Sequence, residues 1–208
     1  YVTGVQTCAL PIWTEHESEK INTVPPPPYV DEKLFKEEVL PIEHKTMLLD
    51  ESSFDIFVTV PLTASENSPA PLVYLVSGIG CNDENYTVGD TKLFRDIAYG
   101  LSTRGIATVR ISSPAYRSPQ SFLTTDHSMY ELYYQDFREA REVMEKDNRF
   151  NHDSVTLLGH NLGATVLTEI FEPETVGKYI FLTPLPVNPQ AYVESRIEAI
   201  LPQFEEGS

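Results

Sequence analysis

The sequence predicts an α/β fold: a doubly wound, mostly parallel sheet with helices on both faces. Three observations predict it. Short, continuously apolar runs such as Leu72-Val73-Tyr74-Leu75-Val76 and Val155-Thr156-Leu157-Leu158 suit strands buried on both faces. Amphipathic helical stretches alternate with those runs, as crossovers between parallel strands require. Two glycine-bearing loops, at 77–82 and 159–163, follow strands where such sheets bind ligands.

Taken in chain order, Phe54-Asp55-Ile56-Phe57-Val58-Thr59-Val60 is β-rich and ends at Pro61, which reads as a strand. Residues 37–45 are expected to pair with it as a hairpin. Asn67-Ser68-Pro69-Ala70-Pro71 is a loop, and 72–76 the first central strand. Leu93, Phe94, Ile97, Ala98 and Leu101 recur at helical spacing within 92–103, and Gly105 closes that helix before a strand at 106–111. Met129, Leu132, Tyr133, Phe137, Ala140, Val143 and Met144 form a longer stripe, with Ser128 and Glu131 as its expected capping box. Residues 155–158 are a third strand, followed by one helix through Leu162, Val166, Leu167 and Ile170. Residues 178–183 form a fourth strand. Pro189 opens a final helix carrying Tyr192, Val193, Ile197 and Ile200, capped by Asn188.

A length of 208 residues, 41% hydrophobic and 22% charged, suits one soluble domain with a sizeable core. The net charge of −16, from 31 acidic and 15 basic residues, argues against nucleic acid or an anionic membrane as partner. No apolar run approaches the roughly 20 residues of a membrane span. Gly4-Val5-Gln6-Thr7-Cys8-Ala9-Leu10-Pro11-Ile12 resembles the translation of a sequencing-adapter oligonucleotide, so residues 1–13 are expected to be an artefact, Cys8 included. Residues 14–33, charged and then Val24-Pro25-Pro26-Pro27-Pro28-Tyr29, read as a linker. The domain is expected over 34–208, with the start of a lid-like insertion from about 184. Cys81 is then the sole cysteine, so no disulfide framework arises.

The chemistry concentrates at Gly159-His160-Asn161-Leu162-Gly163. An apolar strand runs into small residues on both sides of a central one, the pattern of a Gly-x-Ser-x-Gly nucleophile elbow. Asn161 stands at the serine position. A carboxamide has no hydroxyl proton to surrender to a base and cannot form an acyl-enzyme as serine does. With Val76-Ser77-Gly78-Ile79-Gly80-Cys81-Asn82-Asp83, Phe94-Arg95-Asp96-Ile97-Ala98 and Arg104-Gly105-Ile106-Ala107, the elbow resembles the α/β-hydrolase superfamily over about 29–201. The similarity is to its bacterial esterase or serine-peptidase-like members.

The resemblance implies an oxyanion hole made by the backbone amides of Ile79 and Leu162, assisted by a helix dipole beginning near Leu162. Gly78 and Gly80 are expected to permit the loop geometry, and Gly159 and Gly163 the elbow. It also implies a chain order Ser…Asp/Glu…His. All five histidines, His16, His44, His127, His152 and His160, precede Asn161, and no aspartate follows it. The strands that carry acid and base in that family are therefore expected to be missing, as in a fragment. His160 should point away from the central side chain and pack; His127 and His152 are expected at the surface; Cys81 is expected to pack. No spacing suggests zinc or a dinucleotide or phosphate loop, so no metal and no cofactor are expected.

The expected parent activity is hydrolysis of carboxylic esters, thioesters or peptides through a Ser-His-Asp triad, acting on a small-molecule acyl substrate. The chain as written is expected to be inactive, one base transition separating a serine codon from Asn161. The alternative is a natural pseudoenzyme that binds a small molecule or a protein. A weaker reading derives Asn161 from an aspartate nucleophile.

Overall fold

A computed structural model describes residues 42–49, 52–78, 80–119 and 134–184. The readings of 1–13, 14–33, the 128/131 capping box, His127, the insertion beyond 184 and the helix opened by Pro189 lie outside them, as does Ile79.

The sheet has six strands. An antiparallel hairpin of β1 (Ile42–Leu49) and β2 (Ser52–Thr59) forms one edge, with Ile42 opposite Thr59. The first strand thus runs past the Lys45 limit read from sequence, carried on by Met47-Leu48-Leu49. β3 (Ala70–Val76), β6 (Ala107–Ile111), β7 (Phe150–His160) and β8 (Val176–Leu182) are parallel, in the order β1-β2-β6-β3-β7-β8. A separate two-stranded ribbon, β4 (Thr87–Val88) and β5 (Thr91–Lys92), precedes the first helix.

Alternation along β3 explains the layers. Leu72, Tyr74 and Val76 face one side, packing with Phe137, Ala140 and Met144 of α3 (Asp136–Met144) and with Val166, Leu167 and Ile170. Val73 and Leu75 face the other, against Phe94, Ala98 and Tyr99 of α1 (Leu93–Ser102). Helices therefore cover both faces, as expected. The chain leaves β3 for β6 on one flank and then crosses to β7 on the other. The strand order switches at β3, and the carboxyl ends of β3, β6 and β7 meet there.

Two expectations need correcting. β7 begins at Phe150, not Val155; its polar start, Asn151-His152-Asp153-Ser154, hides the strand from an apolar-run reading, and a register shift follows at Val155/Thr156. The single helix after the elbow is two short ones, α4 (Leu162–Thr165) and α5 (Leu167–Ile170), broken at Val166 with φ −96° and ψ 0°. Thr165, Val166 and Thr168 are β-branched and hold a helix weakly. Between β6 and α3, a single turn, α2 (Pro114–Arg117), is capped by Ser113, whose side chain accepts from the Tyr116 N–H.

Candidate active site

β7 ends at His160, and Asn161 N–H still donates to Leu182 O at 3.0 Å, so the ladder holds the chain up to the bend. There the backbone turns sharply: Asn161 has φ 55° and ψ −122°. Such a conformation costs a non-glycine residue about 1–3 kcal/mol and persists only where the surroundings enforce it. Its Oδ1 accepts from Leu162 N–H at 2.8 Å, so the central side chain occupies the amide that follows it. Asn161 O accepts from Ala164 and Thr165 N–H at 3.1 and 3.3 Å and starts α4. Because α4 is a single turn, the expected helix dipole is small; what remains there is the individual N–H groups.

Tight clearances bring the two glycine loops together. A Cβ at Gly163 would lie 2.3 Å from Ser77 O and 2.4 Å from Val76 O. One at Gly159 would meet the Gly163 carbonyl at 2.6 Å, and one at Gly78 the Asn161 Cβ at 3.0 Å. Gly80 has φ +123°, a region open to glycine. The loop is braced by residues whose part was not read from sequence. Asn82 Nδ2 donates to Gly78 O at 2.7 Å, Ser113 Oγ donates to Gly80 O at 2.8 Å, and Asn82 N–H donates to Ser113 Oγ at 3.0 Å. Ser113 precedes Pro114, a helix-start signal that could have marked it. Cys81 is half-buried, with Sγ 3.4 Å from Ala115 O.

His160 turns to Tyr86. Its Nδ1 lies 2.8 Å from Tyr86 Oη, and the rings meet edge-on at 5.0 Å. Tyr86 is itself at φ 53°. Both line a cavity of about 510 Å³ with Val88, Leu93, Asp96 and Ile97. Burial pushes the His160 imidazole below 6.5 and, as the larger influence, the Tyr86 hydroxyl above 10.0. A base depressed in the fold binds its proton more readily when unfolded. Stability contributed by neutral His160 is therefore complete above pH 6.5 and declines as pH falls through the folded value. His160→Asn should flatten that part of the unfolding free energy against pH, measured by urea titration between pH 5 and about 7.5.

His152, expected at the surface, is instead half-buried on β7. Its Nε2 lies 3.0 Å from Asp147 O, while Nδ1 is enclosed, because the strand starts earlier than its polar sequence suggests. Behind the glycine loop, Arg110 of β6 is 1% exposed. Its Nη1 donates to Asn85 Oδ1 at 2.8 Å and its Nη2 to Thr59 Oγ1 at 3.4 Å. Glu84 accepts from Ser112 Oγ at 3.2 Å and from Asn85 Nδ2 at 2.6 Å. Burial lowers the Arg110 pKa, with Tyr99 and Glu84 opposing that shift. Among the described residues no group of three or more His, Cys, Asp or Glu could hold a metal ion, and no helix is long and apolar enough to cross a membrane.

No family model matches the chain. It is 31% identical over 160 residues to esterase EstD of Thermotoga maritima, a match covering 76% of this chain and 34% of that protein. The chain thus spans about a third of the length of the curated relative it matches. Among solved structures, the acylaminoacyl peptidase of Pyrococcus horikoshii superposes with a TM-score of 0.52 at 15% identity, over 70% of this chain and 24% of that one. Vibralactone cyclase superposes with a TM-score of 0.50 at 15% identity, over 81% and 49%.

Proposed function

Because the chain has the α/β-hydrolase fold, we propose that it carries the acyl-binding half of a carboxylic ester, thioester or peptide hydrolase and, with Asn161 as nucleophile-position residue, turns nothing over. One observation supports this above the others. Asn161 sits at the strained strand-to-helix bend, against Gly78, where an attacking side chain would be presented to a carbonyl. The small residues at Gly78, Gly80, Gly159 and Gly163 would serve that presentation, and the amides of Ile79 and Leu162 would receive the carbonyl oxygen. A full Ser-His-Asp triad belongs to the parent activity; no histidine or aspartate follows Asn161 in this chain.

The second reading, a binding protein built on the same cleft, is favoured by the 2.8 Å bond from Leu162 N–H to Asn161 Oδ1, which satisfies the site without substrate. Both readings expect no covalent capture of a fluorophosphonate probe by the 208-residue chain; stoichiometric labelling of any residue would overturn them. They also expect Asn161→Ser alone to stay about ten-thousand-fold or more below an intact triad on an activated ester, because a serine without its base gains little. Ordinary esterase turnover by that variant would refute the missing-base argument. Resequencing the source locus separates the two: serine at this codon with Asp and His downstream favours the hydrolase, asparagine in an intact frame the binding protein.

A further inference from the structure

We propose that Tyr86 is a positioning residue whose hydroxyl, accepting the Gly78 N–H and donating to His160 Nδ1, fixes the spacing between the glycine loop and the elbow. The inference rests on the functional reading above only for the purpose of that spacing; the contact between Tyr86 and His160 stands without it.

Tyr86 and His160 lie 74 positions apart in sequence and meet at 2.8 Å. Gly78 lies against the same hydroxyl, where a Cβ would come within 2.9 Å of Tyr86 Oη, and its N–H is the donor the proposal assigns to that oxygen. The hydroxyl has one proton to give. With Gly78 N–H donating to it, that proton goes to Nδ1, so His160 is neutral and carries its hydrogen on Nε2. Gly78 belongs to the loop after β3 and His160 to the last position of β7, the residue before Asn161. One oxygen therefore ties both halves of the site. The ring is held at its unusual φ from below: Tyr86 N–H donates to Asp83 O at 3.1 Å, and Asp83 accepts from Thr87 N–H and Oγ1 at 2.8 and 2.7 Å. Contact of the ring with Phe94, at 4.9 Å between centroids, completes the seat.

A second proton on His160 reverses the polarity at Nδ1 and removes the acceptor. Among the described residues, the titratable and charged groups that face the imidazole are Tyr86 itself and, across the cavity, Asp96 of α1, which is paired with Arg95 at 2.9 Å. The flanking strands bring Leu182 from β8 and, beyond Val76 on β3, Ser77; α4 is Leu-Gly-Ala-Thr. None of these adds a charge.

The test is nuclear magnetic resonance of the 208-residue chain across the titration of His160. His160 is expected as the Nε2–H tautomer, and the Gly78 amide resonance is expected to move with the His160 midpoint. Tyr86→Phe keeps the ring and deletes the oxygen; the Gly78 resonance should then stop following His160, with the amides of α3 unchanged. His160→Asn places an oxygen where Nδ1 stood; Gly78 should stay at its high-pH position throughout. A Nδ1–H tautomer, a Gly78 resonance indifferent to His160, or equal coupling in Tyr86→Phe would overturn the proposal. If Tyr86→Phe does not fold, the tautomer and His160→Asn decide alone. Fluorophosphonate labelling bears on the functional reading and leaves this coupling untouched.

Discussion

Replacing Gly163 by alanine is expected to destabilise the fold by about 3 kcal/mol or more, a drop in Tm of roughly 10 °C. The added methyl would sit 2.3 Å from Ser77 O and 2.4 Å from Val76 O. Both are backbone atoms of a central strand and the loop leaving it, and neither can rotate aside. Relief requires β3 and the elbow to separate, which breaks the packing of Val76 and Leu162, both essentially buried. Gly100 supplies the control. It lies in α1 with nothing within 4 Å of a built Cβ, so alanine there should stabilise by up to about 1 kcal/mol. Thermal unfolding of the two variants checks the pair; similar shifts in both would show that the close approach of loop and elbow does not exist in solution.

Removal of Arg110 carries the second large effect. Arg110→Ala should cost about 3 kcal/mol or more, because it empties a fully buried volume and strips Asn85 and Thr59 of their donor. Arg110→Met should cost far less. Methionine fills much of the space, and the Nε of Arg110 has no partner among the described residues, so part of the charge's burial goes uncompensated. Urea unfolding of both variants tests this; equal losses would mean that the guanidinium's bonds, not its volume, carry the stability. A related sign is that the backbone carbonyl of Asn85, whose side chain Arg110 holds, accepts the Phe94 N–H at 3.0 Å, so losing Arg110 should loosen the start of α1 first.

Much of the layout was legible because it rests on local pattern. The run 72–76 is apolar at every position, and a strand buried on two faces demands that; the residues at 93, 94, 97, 98 and 101 repeat at the helical period. The elbow was legible from its small residues, since a bend that lets a backbone pass within van der Waals contact of another leaves no room for a Cβ. What escaped depends on contacts between distant residues. No periodicity announces that Tyr86 reaches His160, or that Ser113 braces Gly80 across 33 positions. The start of β7 escaped for another reason: its residues 151–154 are polar, exposed except for half-buried His152, so pairing with β3 at Phe150 and Asn151, rather than burial, makes them a strand. The break at Val166 escaped because weak helix preference is outvoted or obeyed only by tertiary packing.

On the proposed reading, in which the Leu162 amide receives a substrate oxygen, the bond it makes to the Asn161 carboxamide would make the polypeptide its own competitive inhibitor. Any guest oxygen seeking that amide contends with a rival tethered to the adjacent backbone by its own short side chain, present at a local concentration no dilution can lower. The guest's apparent dissociation constant is the intrinsic one divided by the fraction of time the rival swings clear; if that were about one part in a hundred, affinity would fall roughly a hundredfold. Weak binding measured on this chain would then describe side-chain rotation as much as fit.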